Sequence, residues 1–170
     1  MEEQEGVFPT SFRELEGGRA VEYIEALTDY QPDTTKRSLF LAGGITGCLD
    51  WHAVVCQQLA DTALVLLNPR RVAFPIHDPA AAEQQISWEH RHLRRATAVL
   101  FWFPSETLCP ITLYELGAWS MTTKPLFVGV HPAYQRRQDV MIQSRLARPA
   151  LHVVASLEAL IAQVRHFAES

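Results

Sequence analysis

The sequence predicts a doubly wound α/β fold, and two observations support that prediction. Five short apolar runs, bounded by residues that favour turns, have the length and composition of buried strands: SLFLAG (38–43), ALVLLNP (63–69), AVLFWFP (98–104), PLFVGV (125–130) and ALHVVAS (150–156). Helical stretches lie between these runs. Strands that are apolar on both faces and alternate with helices form a parallel sheet covered on both sides. We therefore expect a flavodoxin-like sandwich with a five-stranded parallel sheet.

The helical stretches carry recognisable start signals. Asp50 is a suitable N-cap for the first, and Pro110 stands at the first turn of the third, where an N–H group has no partner within the helix. The predicted helices span residues 50–60, 79–96, 110–122, 138–147 and 156–167. Right-handed crossovers through these helices then order the strands in one sheet.

The first 37 residues differ in charge from the rest of the chain. Residues 1–35 hold nine acidic side chains and two arginines, whereas the remainder holds thirteen Lys and Arg and ten acids. We therefore expect an acidic N-terminal extension over residues 1–37, acting as a tail or lid, and one domain over residues 38–170. Within the extension, RAVEYIEAL (19–27) is a helical candidate.

Composition excludes several classes of protein. No apolar run reaches the ~18–20 residues of a membrane span, and the N-terminus is acidic where a secretory signal is basic, so a cytoplasmic protein is expected. The arginines form three separate clusters, at 70–71, 91–95 and 136–137. Such clusters suit a small anionic ligand rather than a nucleic-acid polymer, although solvated helix surfaces are the better explanation of Arg91, Arg94 and Arg95.

Metal and cofactor sites are not predicted. The three cysteines, Cys48, Cys56 and Cys109, form no CxxC pair and lie among apolar neighbours, which favours buried reduced thiols. The histidines form no HExxH motif. GGITG (43–47), after the first strand, presents N–H groups to a phosphate or a sugar hydroxyl but lacks the glycine spacing of nucleotide-cofactor motifs.

The carboxyl ends of the strands are the expected ligand site, because ligands of doubly wound sheets bind where the strand order reverses. Four loops meet at that edge: GGITG, NPRR (68–71), PSETLCP (104–110) and HPAYQRR (131–137). Core packing is the default interpretation of the four tryptophans, and Trp88 is the first candidate for a ring that stacks on a base.

A carboxylate, Glu115, interrupts the apolar helix CPITLYELGAWS (109–120). Helical spacing puts it on one face with Ile111, Ala118 and Trp119. A carboxylate that a helix N-terminus keeps charged in a dry pocket is a competent nucleophile. The alternative is a solvated glutamate that only complements the helix dipole.

A second carboxylate, Glu89, lies in QQISWEHRHLRRA on the inward side of its helix, three residues after Ile86 and four before Leu93. Two convergent carboxylates can cleave a glycosidic bond together, because one attacks the anomeric carbon and the other transfers the proton at the leaving group. The alternative is an ion pair with an arginine such as Arg70.

The stretches SLFLAGGITG, DWHAVVCQQL, LLNPRR, ISWEHRHLRRATAVLFWFP and CPITLYELGAWS together resemble the nucleoside 2-deoxyribosyltransferase-like family, from about Ser38 to Val140. The resemblance implies a retaining double displacement at the anomeric carbon of a nucleoside. It gives Glu115 of YELG the position of the nucleophile and Glu89 that of an aspartate that protonates the leaving base.

The resemblance also implies a sugar-side loop formed by Gly43, Gly44, Ile45 and Thr46, and a homo-oligomer in which a neighbouring subunit completes the pocket. One position departs from the family pattern. The transferases carry an aspartate for the sugar hydroxyls shortly before the nucleophile, but here that position is Cys109, and Glu106 is the nearest acid.

The expected function is cleavage of the N-glycosidic bond of a (deoxy)nucleoside or nucleotide through a glycosyl-enzyme intermediate on Glu115, with Glu89 as acid and base. Asn68 joins the glycines in shaping the sugar site. The expected partners are the nucleoside or nucleotide and an acceptor base. Two alternatives stay open: a hydrolase that passes the sugar to water, and a non-catalytic nucleotide-binding module.

Overall fold

The computed structural model describes residues 21–75 and 78–170, which form a parallel sheet between two layers of helices. The strands are β1 (Glu22–Glu25), β2 (Ser38–Gly43), β3 (Val65–Asn68), β4 (Ala98–Phe103), β5 (Leu126–Val130) and β6 (Val153–Val154). The helices are α1 (Trp51–Gln58), α2 (Pro79–Arg95), α3 (Pro110–Ser120), α4 (Arg137–Ala147) and α5 (Leu157–Glu169). All five predicted strands and all five predicted helices after residue 37 are present.

The strand order is β1-β3-β2-β4-β5-β6, and every neighbouring pair is parallel. Without β1 this is the flavodoxin order 2-1-3-4-5, so the predicted fold class is confirmed. The chain leaves β2 toward β3 on one side and returns to β4 on the other side. The strand order therefore reverses between β2 and β4.

The predicted count of five strands is wrong by one, because β1 adds a sixth where a helix over residues 19–27 was expected. β1 pairs in register with β3, from Glu22 opposite Val65 to Glu25 opposite Asn68. An edge strand tolerates charged side chains because one side of it is open. Residues 1–20 of the predicted acidic extension lie outside the described residues, and the domain boundary at residue 37 stays a prediction.

The core consists of two apolar clusters, one on each face of the sheet. Helices α2, α3 and α4 pack on one face through residues that include Trp88, Leu116 and Val140. Helices α1 and α5 pack on the other through residues that include Val55 and Leu160. Because α2 and α3 share a face, Glu89 and Glu115 lie on the same side of the sheet.

Side chains fix the starts of three helices. Asp50 accepts a hydrogen bond of 3.1 Å from the N–H of Ala53, which confirms its role as the N-cap of α1. Asp78 and Ser156 cap α2 and α5 in the same way. Pro110 is the first residue of α3, as predicted. None of the helices in the described residues is long and apolar enough to cross a membrane.

Candidate active site

The loops that follow β2 and β4 pack against each other at the point where the strand order reverses. A Cβ added at Gly44, in the first loop, would lie 2.7 Å from Thr107, 2.8 Å from Pro104 and 3.0 Å from Cys109, in the second. Glycine is therefore required for this close approach. Crevices at such reversal points are the usual ligand sites of open α/β sheets.

Glu115 is half-buried on α3. Burial, and after it the negative charge of Glu89, raise the pKa of Glu115 to about 8. This burial argues against the alternative of a fully solvated glutamate. It also differs from the expectation of a carboxylate that the helix dipole keeps ionised, because desolvation outweighs the dipole at the sixth residue of the helix.

The predicted apolar stripe of α3 is only partly inward-facing. Ile111 is 64% exposed and Ala118 is exposed, whereas Thr112, Leu116 and Ser120 are buried. Glu115 therefore stands at the border between the buried side of α3 and solvent. Helical periodicity could not predict this orientation because α3 is apolar on nearly all sides.

Glu89 is held by one neighbour on its own helix. Its Oε1 accepts a hydrogen bond of 2.8 Å from Nε2 of Gln85, and the same nitrogen donates to the Pro69 carbonyl at 2.7 Å. Burial raises the pKa of Glu89, and the hydrogen bond from Gln85 partly offsets that rise. Within the described residues, Glu89 forms no ion pair with Arg70, which approaches Asp50 instead.

The two carboxyl groups are close enough to influence each other's ionisation. The negative charge of Glu89 raises the pKa of Glu115, in addition to the larger effect of burial. Between the two ionisation steps the pair holds one proton. A pair of this kind can supply one negative charge and one transferable proton to the same ligand.

Close packing against aromatic and backbone groups explains why positions 43 and 44 are glycines. A Cβ at Gly43 would collide with the ring of Trp51 and the carbonyl of Trp102, and Nε1 of Trp51 donates to the Gly44 carbonyl at 2.8 Å. Ile45 is half-buried and Thr46 is exposed in the same loop. The loop is therefore rigid at its base and accessible at Thr46.

Asn68 is the last residue of β3, and its side chain holds the loop that follows. Its Nδ2 donates to the hydroxyl of Tyr23 at 2.6 Å, and its Oδ1 accepts from the N–H of Arg70 at 2.9 Å. The side chain is buried and both ends of its amide are engaged. Asn68 therefore orients the loop after β3, and contact with a substrate is not needed to explain it.

Trp88 is a core residue in the structure, in agreement with the default interpretation of the tryptophans. It is 1% exposed, its Nε1 donates to the Thr28 carbonyl at 2.7 Å, and its ring stacks on His92 with centroids 4.1 Å apart. A ring that is buried in this way offers no free face for a nucleobase.

Cys109 precedes α3 in a left-handed backbone conformation, with φ of 46°. Such a conformation costs about 1–2 kcal/mol for a non-glycine residue. Burial raises the pKa of the Cys109 thiol to about 12, so it cannot act as the anionic acceptor that an aspartate would be. Glu106 is exposed in the same loop and accepts from Ser105 at 3.0 Å.

Sequence reasoning missed Gln85 as a site residue. The signal for Gln85 was its i, i+4 spacing from Glu89, which puts the amide beside the carboxylate on one helix face. Its bond to Pro69 could not be read from the sequence, because 16 residues separate the two.

The described residues contain no group of three or more His, Cys, Asp or Glu side chains that could hold a metal ion. The three cysteines are free thiols, and Cys56 and Cys109 are buried.

A comparison with protein families agrees with the fold. No curated protein matches the chain. A family model described as nucleoside 2-deoxyribosyltransferase like matches residues 36–134, which is more than half of the chain and includes both Glu89 and Glu115. That family binds nucleosides and is linked to transferase or hydrolase activity. The chain therefore belongs to the nucleoside 2-deoxyribosyltransferase-like family.

Proposed function

We propose that the protein cleaves the N-glycosidic bond of a (deoxy)nucleoside or nucleotide with retention of configuration, with Glu115 as the nucleophile. The observation that carries the proposal is the placement of two half-buried carboxyls, on α2 and α3, on one face of the sheet, where the charge of Glu89 adds to burial in raising the pKa of Glu115. Retaining glycosidases need two such acids on either side of one bond. Membership of the family supports the same reaction class.

The proposed reaction has two displacements. In the first, the Glu115 carboxylate bonds to the anomeric carbon, the bond from that carbon to the base breaks, and Glu89 gives its proton to the departing nitrogen. In the second, an acceptor base or water attacks the anomeric carbon, Glu89 takes the acceptor's proton, and the Glu115 carboxylate is released. Each cycle returns both acids to their starting states.

The reacting state requires the shared proton on Glu89 and the negative charge on Glu115. In the free protein the proton is favoured on Glu115 and the charge on Glu89, because burial, together with the charge of Glu89, raises the pKa of Glu115 to about 8. Positive charge that develops on the sugar in the transition state favours an ionised Glu115. Gln85 assists by holding the Glu89 carboxyl in one orientation.

The first test is base release by Glu115→Gln, assayed with the four common deoxynucleosides and their 5′-monophosphates. We expect a fall in kcat of about 10³-fold or more with an unchanged melting temperature, because the amide fills the same space but cannot act as a nucleophile. Glu158→Gln, at an exposed position of α5, is the matched control and should keep full activity. Turnover by Glu115→Gln at the wild-type rate would refute the mechanism.

Addition of a second free base separates a transferase from a hydrolase. A transferase makes the new nucleoside faster than it releases free sugar, whereas a hydrolase releases sugar at the same rate with or without the acceptor. A non-catalytic module would instead bind nucleotide without turnover on long incubation. The thiol of Cys109, in place of an aspartate, favours that third outcome, and the coupled acids favour the first two.

We also propose a homo-oligomer. The outer side of α3 supports this, because Ile111, Tyr114 and Met121 are 64%, 78% and 79% exposed and form one apolar face. Light scattering on the purified chain would give a mass above the 19.2 kDa of one copy. A cytoplasmic location stays a prediction from the sequence.

A further inference from the structure

Three arginines at the carboxyl edge of the sheet hold buried nitrogen atoms that have no hydrogen-bond partner among the described residues. They are Nη1 of Arg70, Nη1 of Arg71 and Nε of Arg137. Arg70 and Arg71 follow β3, and Arg137 begins α4. A buried cationic donor without an acceptor is unfavourable, so these positions are suited to an anion that the chain itself does not supply.

Arg70 is the arginine whose position the structure defines most closely. Its N–H donates to Oδ1 of Asn68 at 2.9 Å, which fixes the turn from which its side chain projects. Its Nε lies 3.5 Å from Oδ2 of Asp50, in the loop after β2. It also approaches Cys48 in that loop: burial raises the pKa of the Cys48 thiol, and Arg70 partly offsets this rise.

Asp50 only partly neutralises Arg70. One Asp50 oxygen caps α1 through the N–H of Ala53, and the other contacts Nε of Arg70 at a distance longer than a good hydrogen bond. The Nη1 group has no acceptor among residues 21–75 and 78–170. A guanidinium that keeps donors free is well suited to a phosphate, which accepts two parallel N–H bonds.

Arg70 is also next to the proposed catalytic acids. The carbonyl of Pro69, the preceding residue, accepts from the same Gln85 nitrogen that donates to Glu89. A sugar whose anomeric carbon lies at the two acids therefore has Arg70 within the length of one nucleotide. Nucleosides carry no anion at that distance, whereas nucleoside 5′-monophosphates do.

We propose that Arg70 binds the phosphate of the substrate, so that the protein acts on nucleoside 5′-monophosphates in preference to nucleosides. This inference rests on the proposed function for its choice of substrate, but its binding step can be measured without turnover. Arg71 and Arg137 extend the same positive edge.

The kinetic test compares kcat/KM for each deoxynucleoside and its 5′-monophosphate. We expect the wild type to favour the monophosphate by 100-fold or more, and Arg70→Gln to reduce that preference by about 10- to 100-fold through loss of charge-assisted hydrogen bonds. Arg70→Lys should restore part of the preference. Arg94→Gln, at an exposed position of α2, is the matched control and should keep all of it.

A binding test separates this inference from the proposed function. Calorimetry on Glu115→Gln and on the double variant Glu115→Gln/Arg70→Gln gives affinities for the same ligand pairs without chemistry. If Glu115→Gln binds the monophosphate more tightly than the nucleoside and the double variant does not, the inference is supported. This holds even if the wild type turns over neither ligand. Equal affinity for both members of a pair, or equal kcat/KM for them, would overturn the inference and leave the proposed reaction intact.

Discussion

At the scale of single residues, the chemistry depends on how Glu115 and Glu89 divide a proton. Glu115 has a pKa of about 8, first because it is buried and second because Glu89 is near. The proton that burial retains on Glu115 must be on Glu89 when the anomeric carbon is attacked. The kcat measured against pH should therefore fall as pH rises above about 8, because the pair then loses the one proton that Glu89 must donate.

The interaction between the two acids can be measured directly by ¹³C NMR titration of the glutamate carboxyl groups. Removal of a neighbouring negative charge makes ionisation easier, so Glu89→Gln should lower the pKa of Glu115 toward the ordinary glutamate range. Glu83→Gln, at an exposed position on the same helix, is the control and should leave the titration unchanged. An unaltered Glu115 pKa in Glu89→Gln would mean that the two carboxyls do not share a site.

At the scale of secondary-structure elements, Lys124 ties together the two helices that carry the acids. Its ammonium donates to the carbonyls of Leu93, Arg94 and Ala96 at the end of α2, at 2.6, 2.9 and 2.6 Å. It also lies 4.5 Å from the ring centre of Trp119 on α3. These contacts complement the negative end of α2 and fix it relative to α3.

Lys124→Met should destabilise the fold by ~2–4 kcal/mol in urea unfolding, because three helix-terminal carbonyls lose their charged donor while the apolar stem is kept. The matched control is Lys36→Met, which breaks only an exposed ion pair with Glu22 and should cost less than ~1 kcal/mol. Similar losses in the two variants would show that Lys124 does not hold α2.

The sequence predicted some secondary-structure elements and missed others. Apolar runs bounded by turn residues identified the buried strands, because those strands are apolar on both faces. β1 was missed because EYIE is short and charged, and only its pairing with β3 makes it a strand. The sequence could not decide between core packing and stacking on a ligand for Trp88, because its partners, Thr28 and Phe40, are distant in the chain.

At the scale of the whole molecule, topology brings the candidate site together. The strand order reverses between β2 and β4, and the placement of α2 and α3 on one face puts both acids on the same side of the sheet. The sequence alone predicted a ligand site at the carboxyl edge of the sheet and proposed Glu89 and Glu115 as its acids. It could not predict the roles of Gln85 and Asn68, since their partners lie on other elements.

The most direct test of the central claim, that Glu115 bonds to the sugar, is mass spectrometry of a trapped intermediate. A 2′-deoxy-2′-fluoroarabinosyl nucleoside and its 5′-monophosphate are suitable probes, because fluorine next to the anomeric carbon destabilises the oxocarbenium-like transition state and slows release. We predict a mass increase of one fluorinated sugar on the peptide that contains Glu115, and none in Glu115→Gln. An adduct on another residue would contradict the claim. So would base release by Glu115→Gln at the wild-type rate with no adduct formed.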